Sequence, residues 1–320
     1  MSISRKIFWI DDDGRRKRTA DDIGADFVNV NEEDLGETVD GLLKRPQPSL
    51  IILDHILDKT AGTNPFFKKG STIAEALKEK WSTCPVVGIT NADLDTIDLR
   101  TQRAYDELFA FSHFREYIET IGAIRRGFAT IARFRARGPK DLLSLLKPPG
   151  DEIDRLMLAL PEDLKNSFRD PSVASNLYTW VEKLVARPGF LYDSLWAATL
   201  TGLNEKGFEK VVALFDKAIY KGVFSVSDNP RWWSSRLTEI VYKRSPPESG
   251  EMSWHVGRKL PGIKDEHYSC CYKCKEEYPE IVAYLDAESD ERRPMHLRCT
   301  NLDPRFKREL YFEDMRMMLG

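Results

Sequence analysis

The sequence predicts an α/β fold: a doubly wound five-stranded parallel sheet in the first part of the chain, then a mainly helical region and a small cysteine-bearing module. Three observations predict it. Short apolar runs end on acids or a hydroxyl, helix-period segments alternate with them, and four of the five cysteines crowd between Cys270 and Cys299. A chain of 320 residues suggests two or three domains, because single cores rarely grow past about 250 to 300 residues. The expected boundaries are residues 1–138, 139–250 and 251–320.

The run Leu50–Leu53, four consecutive aliphatics ending on Asp54, is too short for a free-standing helix and suits a strand buried on both faces. It delivers Asp54 to the carboxyl edge of the sheet, where open α/β proteins gather ligands and chemistry. Lys6–Ile10 is a second such run and ends in Asp11, Asp12 and Asp13. Acids meeting at one edge raise one another's pKa unless a hard divalent cation lies among them, and Mg2+ is the expected ion. A third run, Cys84–Ile89, ends on Thr90, whose hydroxyl suits a phosphoryl oxygen.

The elements between follow from pattern. Helices are expected over Arg15–Ile23, Leu35–Leu43 and Ser71–Trp81, the last with Ile73, Ala76, Leu77 and Trp81 on one face. Ala25–Val30 reads as the second strand and Glu107–Phe114 as the fifth. A long helix is expected over Glu116–Arg137, its buried side marked by Ile118, Ile121, Ile124, Phe128 and Ile131. Its second half carries Arg125, Arg126, Arg133, Arg135 and Arg137 without an acid. A solvated face or an acidic neighbour in the same chain explains that stretch more readily than nucleic acid does. Gly138-Pro139 is expected to end both helix and domain.

The ordered set Asp11 and Asp12, then Asp54, then Thr90 resembles the receiver domain of bacterial response regulators, over roughly residues 5 to 130. The resemblance implies a flavodoxin-like sheet with Asp54 as phospho-acceptor. It also implies Mg2+ held by Asp11, Asp12, Asp54 and the backbone carbonyl of Ile56, and a Thr90 contact to the phosphoryl group. The implied partner is a histidine kinase or another phosphodonor. Receivers usually carry Lys-Pro after the fifth strand; here neither is present, and His113 or Ser112 falls near that position. The turn after the acceptor is also longer, from Asp58 through Pro65 to Gly70. A phosphorylation-independent pseudo-receiver scaffold is therefore the alternative.

Residues 140–245 read as helical over Asp151–Phe168, Val173–Arg187, Phe190–Leu203, Glu205–Tyr220 and Arg231–Arg244, separated by Pro and Gly. Trp180, Trp196, Trp232 and Trp233 are expected as packing between helices. Ser245–Gly250 reads as a linker. Cys271-x-x-Cys274 and His296-x-x-Cys299 then form two metal-type knuckles, a Cys3His set of the kind that holds Zn2+ in a closed, structural site. Exchange of Cys270 or His267 into the set would open a coordination position. A receiver-regulated zinc hydrolase, using His255, Asp265, Glu266 or His267, is thus a further alternative, and thiol chemistry of Cys270 and Cys271 a third.

No catalytic signature appears in residues 140–320, so a regulatory or binding protein is favoured over an enzyme, with an unidentified protein partner for the C-terminal half. A net charge of −3 argues against nucleic-acid binding by the chain as a whole. At 42% hydrophobic and 31% charged, with no tract apolar enough for a bilayer and no apolar N-terminal segment, the chain is expected to be cytoplasmic.

Overall fold

The computed structural model describes residues 6–30, 35–57, 70–150, 152–186, 189–248, 251, 253–277, 281–285, 292–296 and 299. Among them no helix is long and apolar enough to cross a membrane. The chain divides into two compact units, Met1–Pro139 with Pro161–Thr179, and Lys140–Leu160 with Trp180–Gly320.

The first unit is built on strands β1 (Ile7–Asp11), β2 (Ala25–Asn29), β3 (Leu50–Asp54), β4 (Val86–Thr90) and β5 (Glu107–Ala110). All four pairings are parallel, in the order β2-β1-β3-β4-β5. This is the flavodoxin-like doubly wound order, with its switch point between β1 and β3. Helices α1 (Lys17–Asp22), α2 (Leu35–Leu43), α3 (Gly70–Lys80), α4 (Leu99–Gln102) and α5 (Ile118–Arg133) connect or follow the strands.

Both faces of the sheet are covered. Phe8, Ile10, Ile51, Leu53 and Val86 pack with Val39 and Leu42 of α2 and Ile73, Ala74 and Leu77 of α3. Strand side chains alternate, so the equally buried Trp9, Ile52 and Val87 face the other way. On that side the Trp9 ring meets Phe114 at 5.0 Å. Continuous aliphatic runs are what a doubly covered sheet requires, which is why β1, β3 and β4 stand out in the sequence.

Two expected elements end early. The fifth strand stops at Ala110, and Phe111–Tyr117 winds into 3-10 helix, burying Phe114 and leaving His113 exposed against Glu116. The long helix stops at Arg133: Phe134 turns extended while its N–H is shared by the carbonyls of Thr130 and Ile131. Past Ile131, Phe134 is the only large apolar side chain before Gly138, too little to hold another turn on the core. Arg135 and Arg137 therefore lie beyond the helix and not on it.

Past α5 the helices are shorter than the periodicity suggests, and those within residues 161–179 belong to the first unit. The stretch expected over Asp151–Phe168 is broken at Leu160-Pro161 into α7 (Glu152–Ala159) and α8 (Glu162–Asn166), following α6 (Pro139–Ser144). α9 spans Val173–Ala186. Two-residue strands β6 (Leu191–Tyr192) and β7 (Trp232–Trp233) pair antiparallel just before α10 (Ser194–Leu200) and α12 (Ser234–Arg244). α11 covers only Glu205–Val211, continued by 3-10 turns to Ala218.

One apolar core runs from Tyr192 through Trp196, Phe208, Phe215, Trp232 and Leu260 to Cys271 and Met295, so it crosses the boundary expected near residue 250. Trp180, Trp196, Trp232 and Trp233 are all buried. Gly202 shows how closely the chain packs here. Its φ is +71°, and a Cβ on it would lie 2.0 Å from the Trp254 carbonyl oxygen. Among its described residues the second unit also holds α13 (Ser253–Gly257) and a hairpin of β8 (Ile281–Leu285) with β9 (Arg292–His296).

Candidate functional site

The strand register assembles the first site. Ile10 is paired with Leu53, so Asp11 and Asp54, the next residues along, emerge side by side at the carboxyl edge. Asp54 is in turn paired with Ile89, which puts Thr90 one step further on the neighbouring strand. Asp11, Asp12, Asp54 and Thr90 are all buried. Oxygens of the three carboxylates lie within 4.8 Å of one another. Ile56, two residues past Asp54, is more exposed, at 39%.

Arg16 completes this group. It stands in the short 3-10 turn Gly14–Arg16 that leads from the acids into α1, and its side chain is only 7% exposed. Nη1 lies 2.9 Å from Asp11 Oδ2 and 3.0 Å from Asp54 Oδ1. The guanidinium rests on the Phe111 ring, 4.3 Å from its centre, just where β5 gives way to 3-10 helix. Trp9 Nε1 donates to Asp11 Oδ2 at 3.0 Å and the Asp13 amide to Asp11 Oδ1 at 2.8 Å, so Asp11 is fixed from three sides. The Thr90 hydroxyl oxygen accepts from the Ala92 amide at 3.0 Å, which leaves its proton to donate.

Burial first, and charge second, explain the titration of the group. Burial, then the Asp11 charge, push Asp54 up to about 7, with Arg16 opposing. Burial also raises Asp11 against the pull of Trp9, Asp13 and Arg16. Three acids and one guanidinium leave a formal charge of −3 + 1 = −2, the complement of a divalent cation, and carboxylate oxygens are the donors that a hard ion takes. The residues present therefore fit Mg2+.

Two neighbours tighten the edge. His55 Nδ1 lies 3.1 Å from the Tyr105 hydroxyl, both buried, and burial and the Asp54 charge raise Tyr105. Gly70 opens α3 directly over Asp54, and a Cβ there would fall 2.1 Å from the Asp54 carbonyl oxygen. The rest of the lengthened turn, residues 58–69, lies outside the described residues.

The sequence did not single out Arg16, His55 or Tyr105. A signal for Arg16 existed, since Arg15 and Arg16 follow three acids within one turn. Of that pair Arg15 is spent on Asp13 at the surface, 2.6 Å away. His113, expected near the end of the fifth strand, instead meets Glu116 at 3.1 Å.

The second group draws on the turn before the β8–β9 hairpin, on the last residue of β9, and on Cys299 three residues further along the chain. Cys271, Cys274, His296 and Cys299 bring donor atoms within 4.8 Å of one another. The turn is closed by the Lys275 amide on the Cys271 carbonyl at 2.9 Å, with Lys275 at φ +63°. The Tyr272 amide ties it to the Pro294 carbonyl on β9 at 2.7 Å. Burial raises the Cys271 thiol, but the amides of Cys274, His296 and Lys273 outweigh it and bring the thiol down to about 7. Desolvation and then the two neighbouring thiols raise Cys299. His296 Nδ1 is 3.1 Å from Cys274 Sγ, while its buried Nε2 has no hydrogen-bond partner among the described residues. A crowded set of thiols and one imidazole fits a soft tetrahedral ion.

Cys270 and His267 stand outside this set among the described residues. His267 instead accepts the Lys264 amide on Nδ1 at 2.9 Å, and Cys270 faces the Tyr268 carbonyl. Asp265 and Glu266 belong to the same 3-10 turn as His267.

No family model matches the chain, and no curated protein matches it. Among solved structures, the response regulator protein TrrA from Thermotoga maritima, in complex with Mg2+-BeF, aligns at 18% identity and a TM-score of 0.28, over 37% of this chain and 98% of its own. A response regulator from Burkholderia pseudomallei with a phosphorylated aspartic acid aligns at 12% identity and a TM-score of 0.29, over 57% of this chain and 99% of its own. The response regulator StyR aligns at 17% identity and a TM-score of 0.25, over 56% and 98%. At such scores the likeness carries no argument of its own.

Proposed function

We propose that the first unit is a receiver-type signalling domain that takes a phosphoryl group on Asp54 and regulates how the C-terminal half meets a protein partner. The observation that carries this reading is the convergence of Asp11, Asp12, Asp54, Thr90 and Arg16 at one buried sheet edge. A carboxylate oxygen of Asp54 attacks the phosphorus of the donor, a histidine kinase or a small acyl phosphate. The bond from phosphorus to the donor breaks, and the donor leaves with its electron pair. Asp11, Asp12, Asp54 and the Ile56 carbonyl would hold Mg2+, which when bound supplies neutralising charge for two anions that must meet. Thr90 donates its hydroxyl proton to a phosphoryl oxygen. Arg16 holds Asp54 in place and offers its remaining N–H groups to the incoming phosphoryl oxygens.

Cys271, Cys274, His296 and Cys299 would hold Zn2+ in a closed set, and its role is to fasten the hairpin to the core of the second unit. A closed set leaves no position for a reacting water, so regulation is favoured over hydrolysis.

A second reading has one observation in its favour. Arg16 already ion-pairs one oxygen each of Asp11 and Asp54, as a scaffold that is never phosphorylated would keep it. Intact mass after incubation with magnesium and acetyl phosphate separates the two. Gain of one phosphoryl group by the wild type, and none by Asp54→Asn, supports the first; no gain by either supports the scaffold.

A further inference from the structure

The arginine stretch at the end of α5 is not used by the acidic edge. Past Arg133 the chain runs extended, and in the first unit Phe134 to Arg137 form one wall of a cleft of about 670 Å3. Phe168 to Pro171 also line it. A cleft of this size matches those that enclose small ligands, roughly 300 to 1,000 Å3.

Its floor is apolar, with Ile131 and Val173 buried. Around the rim stand Arg135, Arg137 and Arg169 with Asp170 as the one acid, a formal charge of 3 − 1 = +2 on a chain whose net charge is −3. Neither Arg135 nor Arg169 forms a salt bridge with any described residue. Arg169 lies over the Phe168 ring, 5.1 Å from its centre, which fixes the direction of its guanidinium. Phe134 is 38% exposed, a large ring left in contact with the cleft and with solvent.

We propose that this cleft binds a nucleoside polyphosphate. Guanidinium groups from these two segments clasp the phosphates through paired N–H donors, as the geometry of arginine favours. Phe134 presents its face to the base, and stacking of this kind accepts any base. Asp170 suits a ribose hydroxyl or an exocyclic amine and repels a phosphate, so the sugar and base lie at its end of the cleft. A phosphate-only ligand would leave Phe134 unused, and a long nucleic acid strand would need a basic track beyond this one cleft.

The test is titration of the full chain with mant-ADP, followed by fluorescence anisotropy. Saturable binding, competed by ADP, and weakened at least ~10-fold in Arg135→Ala/Arg169→Ala, is expected from the loss of two charged hydrogen-bonding groups. Phe134→Ala weakens mant-ADP but leaves competition by pyrophosphate unchanged. Arg100→Ala, which removes one arginine charge from an exposed position on α4, retains binding, and matched circular dichroism melts show that the variants fold. Four results overturn the proposal: no saturation up to roughly 1 mM, binding unchanged in the double variant, pyrophosphate competing as well as ADP, or affinity for oligothymidylate rising with its length.

Discussion

Arg16 is the residue on which the acidic edge depends. It supplies a buried cation for two carboxylates that burial drives toward protonation. Taking away one partner of a buried ion pair leaves an uncompensated charge, which typically costs about 3 to 5 kcal/mol. Arg16→Gln is therefore expected to lower stability in urea titration by about that amount without a dication, and added magnesium is expected to restore part of it. Arg16→Lys keeps the charge but loses the flat face on Phe111, and should fall between. Glu107 allows a separate pH test. Burial raises its carboxyl, although the Tyr178 hydroxyl, 2.8 Å away, and the Leu108 amide hold it down in part. The folded state then binds a proton more tightly than the unfolded chain, so this group's stabilising contribution is full below the ordinary value of 4.5 and is lost as pH rises through the folded value. Calorimetric melts should show a shallower fall in Tm above pH 4.5 for Glu107→Gln than for the wild type, with the Gln variant the more stable at neutral pH.

At the scale of elements, what is legible in the sequence depends on how much of the signal is local. β1, β3 and β4 can be read because both their faces are buried, and the residues that end them, Asp11, Asp54 and Thr90, follow to one edge from the apolar pattern alone. The end of α5 is not legible, because nothing in the Arg-rich stretch says that Phe134 finds no core to face. β6 and β7, two residues each, are set by pairing across about forty residues of chain and give no period of their own. Arg16 is hidden for a similar reason. Its partner Asp54 lies on another strand, and only the β1–β3 register brings the two within 3.0 Å. Gly70 tests the junction of α3 with β3. A methyl at that position meets the Asp54 carbonyl at 2.1 Å, so the backbone must move. Gly70→Ala is expected to cost about 1 to 3 kcal/mol in chemical denaturation and to lower phosphoryl uptake by displacing Asp54.

For the whole molecule, the two units stabilise themselves by different means. The first buries a doubly covered sheet; the second joins short helices and a hairpin into one core that reaches Cys271 and Met295. If Zn2+ fastens that hairpin, elemental analysis of the purified chain should find one zinc per molecule, and Cys274→Ser should lose it. Removing it with a strong chelator should lower the Tm of the second unit by several degrees, since metal binding to a site absent from the unfolded chain adds directly to stability. The absence of zinc, or a melt indifferent to the chelator, would leave the four side chains as packing alone.

The acidic edge makes the most direct demand. Three buried carboxylates against one guanidinium leave a formal charge of −2 when all are ionised, which a bound dication balances if the edge is a working phosphorylation site. Magnesium titration by calorimetry at neutral pH, on the wild type and on Asp12→Asn, measures this. One saturable site per chain is expected in the wild type, with at least ~10-fold weaker binding in the variant, which loses one charged ligand. No magnesium binding by the wild type, or equal binding by both proteins, would contradict it.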